Sequence, residues 1–307
     1  MKKFIFVLSL LLGICLIISG CGGVTQKEEL LITATNFAEY DFARAVVGEK
    51  GSVKMLIPPG RDMHSFEPTV TDILNIENSS LFLYIGGESD SFVDKILSSI
   101  NNENLSVLKM SDFVCLTGEE HHGEEHNHSH SENYDEHIWL SPDNAVKMIS
   151  AIKDELSRID PENSGYYNEN AQKYCSEIED LTAETKKVIG NARVKTIVVA
   201  DRNPYKYFTE YYGITATAAF TACSEDTDAD LATVLRLIEA VKENSLSAIF
   251  VTEMTSFDLA NSVKENTGAE ILTLHSYHNV STEDFEGGVT YIDLMRKNQK
   301  SLERGLN

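Results

Sequence analysis

Basic residues are scarce in this chain. Its 307 residues carry 26 Lys and Arg against 48 Asp and Glu, a formal charge of −22. So few cations argue against a nucleic-acid partner, because phosphate backbones are bound by clustered Lys and Arg. A surplus of that size favours cationic ligands instead. Cysteine is sparse as well, with five in all. Cys15 and Cys21 fall near the start, which leaves Cys115, Cys175 and Cys223 at wide, unrelated spacings. That is no disulfide framework and no CxxC metal motif; one disulfide is possible, and the spacing does not pair it. Two hydrolytic signatures are missing: there is no HExxH helix and no GxSxG nucleophile motif. Hydrophobic content of 42% is ordinary for a globular protein, and the length allows two domains, each with its own core.

The longest apolar run lies at the beginning. Met1-Lys2-Lys3 reads as a positively charged n-region, and residues 4–18 as the h-region of a signal peptide, marginally short to span a membrane. The run ends at Ile18-Ser19-Gly20-Cys21. Small residues directly before a cysteine resemble the bacterial lipobox, in which the cysteine is lipidated and becomes the mature N-terminus. An uncleaved membrane anchor is the alternative. The expectation is a leader over residues 1–20, a lipid on Cys21, a polar linker over 21–29, and a mature protein tethered to the extracytoplasmic face of the cell membrane.

From residue 30 onward, short aliphatic runs alternate with longer amphipathic segments. The runs predict strands at 30–35, 53–57, 81–85 and 106–110, with helices at 37–48, 69–78 and 91–100 between them. Ser141 as N-cap and Pro142 as first helical residue open a helix over 142–159. A second long helical pattern spans 162–189 and is closed by Gly190. The alternation then resumes, with strands at 195–200, 214–220, 247–252 and 270–274 and helices at 204–212, 228–244, 257–267 and 284–302. Regular β-α-β alternation implies parallel sheets covered by helices. The fold class is therefore α/β: two lobes, over 30–160 and 192–307, each a small parallel sheet flanked by helices, joined by one long rigid helix within 161–191.

The histidines are unevenly placed. Three of the six prolines fall in residues 57–68, Ile57-Pro58-Pro59-Gly60-Arg61-Asp62-Met63-His64-Ser65-Phe66-Glu67-Pro68, so His64 sits on a stiff loop that lowers the entropy cost of holding a ligand. Residues 118–136 contain almost nothing apolar and gather His121, His122, His126, His128 and His130 among glutamates. Such a loop can capture zinc or nickel in many geometries; a solvated acidic loop with incidental histidines is the bland alternative. His137 then precedes Ile138-Trp139-Leu140-Ser141-Pro142. In the second half, Asp201, Glu253 and His275 follow predicted strands, where open α/β sheets bind ligands. Two histidines from one lobe facing a histidine and carboxylates from the other would make a nitrogen and oxygen site for a dication.

Asn36-Phe37 with Tyr40-Asp41-Phe42-Ala43, the 57–69 loop, and His137-Ile138-Trp139-Leu140-Ser141-Pro142 resemble the zinc- and manganese-binding lipoproteins that serve ABC importers. The resemblance covers nearly the whole mature chain. It implies two α/β lobes joined by a rigid helix with a metal in the cleft, and it matches His64 and His137 to the family's two N-lobe ligands. His275 falls where the family usually has an aspartate ligand. Where the family has a histidine or glutamate before an aromatic-x-Tyr-Phe segment, this chain has Arg202, in Asp201-Arg202-Asn203-Pro204-Tyr205-Lys206-Tyr207-Phe208. Arginine keeps its proton and offers no lone pair. At about 6 Å and an effective dielectric of about 20, a guanidinium and a dication repel by about 5 to 6 kcal/mol. Asp201 ranks next as fourth ligand, then Glu253, with water a further option. Cys223 reads as a bystander thiol and His278 as a surface or turn histidine.

The leading expectation is high-affinity capture of Zn²⁺ between the lobes, without chemistry on the ion, and delivery to a membrane permease and its ATPase by a monomeric lipoprotein. Three imidazoles and a histidine-rich loop suit zinc, whereas manganese sites favour more carboxylate. Manganese binding within the same family is one alternative. A surface metallohydrolase using His64, His137 and Glu253 as general base, and a metal-dependent adhesin or storage protein working through the histidine loop, are the others.

Overall fold

The computed structural model of the chain describes residues 30–61, 63, 65–117, 134–222, 224 and 229–307. The leader, Cys21, the linker, the five histidines of 121–130, His64 and Cys223 lie outside the described residues.

Two four-stranded parallel sheets build the molecule. In the first half, β1 (Leu30–Ala34), α1 (Phe37–Val47), β2 (Gly51–Met55), α2 (Val70–Glu77), β3 (Leu81–Tyr84), α3 (Val93–Leu97) and β4 (Ser106–Lys109) follow one another, and the strands lie in the order β2-β1-β3-β4. Helices α4 (Pro142–Ile159) and α5 (Ser164–Asn191) come next. The second half repeats the first with β5 (Thr196–Asn203), α6 (Lys206–Tyr212), β6 (Thr215–Thr221), α7 (Leu231–Glu243), β7 (Ala248–Val251), α8 (Asp258–Thr267) and β8 (Glu270–Thr273), in the order β6-β5-β7-β8. Short α9 (Thr282–Glu286) and the final α10 (Tyr291–Gly305) close the chain. Parallel pairing needs a crossover, and the intervening helices supply it.

Local chemistry sets the boundaries. Asn36 accepts from the Glu39 N–H at 3.3 Å while the Glu39 carboxyl accepts from the Asn36 N–H at 3.3 Å, a capping box that starts α1. Thr69 and Asp72 make the same box for α2. Gly213, at φ 65°, takes the left-handed conformation that ends α6.

Four sequence expectations change. Ser141 stands at the N-cap of α4 without a side-chain capping bond; Pro142 at the first position removes one of the N–H groups that would otherwise lack a partner. Gly190 lies inside α5 and does not stop it. Residues 284–302 form parts of two helices, because Gly287 and Gly288, the latter at φ 73°, break the run. Strand β5 continues through Asp201 and Arg202 to Asn203, with a register shift between Val199 and Arg202, an irregularity that re-aims side chains.

One cluster of buried apolar side chains runs from Ile32 and Trp139 in the first lobe, through Tyr167 and Ile178 on α5, to Phe250 and Leu302 in the second. The 28-residue α5, about 42 Å long, is its spine. Asp41 on α1 ties the parts together. Its carboxyl accepts from the Tyr291 N–H at 2.8 Å, from the Tyr174 hydroxyl on α5 and from Arg44; Arg44 also donates to the Val289 carbonyl at 2.9 Å. Among the described residues, no helix is long and apolar enough to cross a membrane.

Candidate metal centre

The carboxyl ends of β7 and β8 lie side by side in their sheet and bring Glu253 and His275 together. Two non-glycine residues there take left-handed backbone, Met254 and Tyr277, each at φ 62°. Such a residue costs on the order of 1 to 3 kcal/mol and persists only where its surroundings demand it. Here the turns set Ser276 and His278 against one carboxylate. Glu253 accepts from the Ser276 N–H at 2.8 Å and from its hydroxyl at 2.6 Å. His278 Nδ1 lies 3.7 Å from Glu253 Oε1, and His275 Nδ1 lies 4.0 Å from Oε2.

Hydrogen bonding to Ser276 bears on the tautomer of His278. The Ser276 hydroxyl gives its single proton to Glu253, so it accepts from His278 Nδ1–H. That leaves Nε2 with the lone pair. His275 is held through its backbone, since the Asn298 side chain accepts from its N–H at 2.6 Å and donates to its carbonyl at 2.9 Å. Burial pulls the His275 imidazole below the usual histidine range, with the Glu253 charge opposing. A neutral ring is the form a metal requires. Among the described residues its Nδ1 is buried without a hydrogen-bond partner, and it lies 4.0 Å from Glu253, somewhat wider than the roughly 3.4 Å between two ligand atoms on one tetrahedral zinc.

His137 belongs to the other lobe. It is 1% exposed, its Nδ1 lies 2.9 Å from Asp135 Oδ1, and its N–H donates to the same oxygen at 2.8 Å. A carboxylate on Nδ1 fixes the tautomer and places the lone pair on Nε2. The His137 ring packs 5.3 Å from Trp139, and Trp139 Nε1 donates to the Ser276 carbonyl across the lobes at 2.7 Å. The proline loop is gripped from the same side. Asn279 donates to the Pro58 and Arg61 carbonyls at 3.1 and 2.7 Å, and the Gly60 N–H donates to the Val280 carbonyl at 2.9 Å.

The structure thus gathers Glu253, His275 and His278, and links them to His137 through Trp139 and Ser276. Asp201 accepts from the Thr252 N–H at 3.3 Å and from the Thr252 hydroxyl, so it holds the strand end that carries Glu253. His278 stands on a turn, one of the two readings its sequence allowed, and its side chain is 16% exposed. The signal that could have found it is its spacing of three from His275, on a turn rather than a helix. Among the described residues, no three His, Cys, Asp or Glu side chains form a group that could hold a metal ion. A cavity of about 410 Å³ lined by Pro142, Ile178, Lys186 and Tyr211 contains none of these residues.

The family described as zinc-uptake complex component A, periplasmic, matches residues 32–305. The chain is 28% identical to the zinc-binding lipoprotein AdcA of Streptococcus pneumoniae, over 99% of this chain and 61% of that protein. It therefore spans about three fifths of that relative's length. It is 27% identical to the high-affinity zinc uptake system protein ZnuA of Bacillus subtilis, over 95% of this chain and 94% of that one. Among solved structures, the Zn(II)-bound ZnuA-like domain of S. pneumoniae AdcA superposes with a TM-score of 0.76 at 26% identity, covering 91% of this chain and 99% of that chain. The metal-dependent lipoprotein YcdH of B. subtilis gives 0.78 at 26% identity, covering 91% and 99%.

Proposed function

Because the chain belongs to the family of periplasmic zinc-uptake complex component A proteins, we propose that it captures Zn²⁺ where its two lobes meet and delivers the ion to an ABC-type permease and its ATPase. The family is a binding component of transport and not a group of enzymes, so the metallohydrolase alternative falls away. The ion is cargo, bound and released unchanged.

One observation carries the reading: Glu253, bracketed by two imidazoles, is joined through Ser276 and Trp139 to the turn that presents His137. His64 and His137 supply the N-lobe half of the site; His275, His278 and Glu253 supply the other. Glu253 brings the negative charge that offsets a dication, and imidazole nitrogen favours zinc over manganese. Asp135 and Ser276 orient the rings, and Asp201 holds the strand end beneath Glu253. The histidines of 121–130 act as an auxiliary loop that concentrates the ion near the site. A lipid on Cys21 keeps the monomeric chain at the extracytoplasmic face of the membrane.

Metal analysis of protein purified without added metal tests this. About one zinc per chain is expected, in preference to manganese, and His64→Ala, His137→Ala and His275→Ala should each lose it. Manganese in place of zinc, or full zinc content in all three variants, sinks the proposal.

A further inference from the structure

The two sheets share one strand order, and α2 and α7 hold the same place in it. Each follows the edge strand, β2 or β6, and leads to the strand that lies beyond the centre, β3 or β7. Their first seven residues correspond position by position: Val70-Thr71-Asp72-Ile73-Leu74-Asn75-Ile76 against Leu231-Ala232-Thr233-Val234-Leu235-Arg236-Leu237. The seventh is a fully buried aliphatic in both, and the fourth is partly buried in both. Those two positions anchor each helix on its sheet. The first and fifth are aliphatic too, yet they face solvent. Val70 and Leu74 are 74% and 49% exposed, and Leu231 and Leu235 are likewise 74% and 49% exposed.

Each helix runs back against its parallel strands, so its first turn stands at the carboxyl edge of the sheet. In the second lobe that is the edge carrying Glu253 and His275; in the first, the chain entering α2 is the proline loop held by Asn279. Met254 and Phe257, just past Glu253, are exposed as well. Repeated apolar pairs left in water, one per lobe and beside the site, mark a surface that something covers. Carboxylates flank both pairs, Glu67 and Asp72 at α2 and Asp230 capping α7, while Arg236 beside Leu235 is turned to the Ala218 and Ala219 carbonyls.

We propose that Val70 with Leu74, and Leu231 with Leu235, are the contacts through which the chain docks on the membrane permease, whose outward face offers two apolar sockets ringed by basic side chains, one for each lobe. This rests on the zinc-uptake reading above. Repetition in both lobes calls for a partner that touches both at once. Charge decides against a second copy of this chain, because joining two such edges sets acidic rims face to face in molecules of formal charge −22; a basic socket gains from the same charge.

The test replaces the native chain in cells with the full-length lipoprotein carrying Val70→Glu with Leu74→Glu, Leu231→Glu with Leu235→Glu, or all four. Uptake of radioactive zinc is measured, and the purified variants are assayed for zinc binding, sedimentation and binding to the detergent-solubilised permease. Exposed sites tolerate charge, so zinc binding should stay unchanged while each pair slows uptake and weakens permease binding by roughly tenfold, and the four together abolish both. Wild-type uptake and permease binding by the four-residue variant overturns the proposal. So does a wild-type dimer that the substitutions dissolve while uptake persists. A wild-type chain that binds no zinc contradicts the functional reading alone, since permease binding still tests the docking contacts.

Discussion

Glu39 and Asp90 are buried acids of the first lobe, and their protons govern how its stability follows pH. Burial, with the Asp90 charge adding to it, raises the Glu39 carboxyl to about 8. Burial raises Asp90 to about 7, against hydrogen bonds from the Gly86 and Ile85 N–H groups. Unfolded carboxyls titrate near 4, so between about pH 4 and pH 8 the folded chain holds more protons than the unfolded one. The stabilisation is complete at the acid end of that window and is lost as pH rises through the folded values. Glu39→Gln removes one of these titrations. Its melting temperature should therefore fall less than that of wild type between about pH 5 and pH 9; equal falls would show that the pair does not titrate in this range. Residue identity carried part of the proposed site, since His137 and His275 are legible from where they stand relative to predicted elements. His278 was not, because its place depends on Tyr277 adopting φ 62°, a conformation that tyrosine does not advertise.

Among the elements, the proline loop is held from the other lobe. Proline has no N–H to offer, so a partner must grip the loop by its carbonyls and by Gly60, as Asn279 and Val280 do. Asn279→Ala removes two hydrogen bonds to carbonyls of exposed residues, which costs about 0.5 to 1.5 kcal/mol for each bond. Thermal denaturation should show that loss, and zinc titration should show affinity down by roughly tenfold if the loop presents His64 to the ion. Unchanged affinity would separate the clasp from binding. Alternation of apolar runs was enough to read every strand to within a few residues. The end of β5 was harder: the strand continues through Asp201 and Arg202 on a register shift, and a bulge depends on its neighbours' pairing rather than on its own residues.

For the whole molecule, the repeated β-α-β pattern announced two similar lobes and a long helix between them, and the sheets repeat one strand order. How the lobes meet was less legible, because it rests on distant contacts. Asp41 joins α1 to α5 and to the start of α10, and Trp139 reaches Ser276. A single apolar cluster also runs through both lobes. Those contacts tie the turn that carries His137 to the turn that carries Ser276, and the proposed site needs the two lobes held so. The measurement that tests that claim most directly is a zinc titration of wild type, His137→Ala, Glu253→Gln and a chain lacking residues 119–130. One tight zinc per chain should survive loss of the loop, and each of the two substitutions, one in each lobe, should weaken it by roughly a hundredfold, about 2.7 kcal/mol. A tight site that disappears with the loop and ignores both substitutions would contradict a zinc site shared between the lobes.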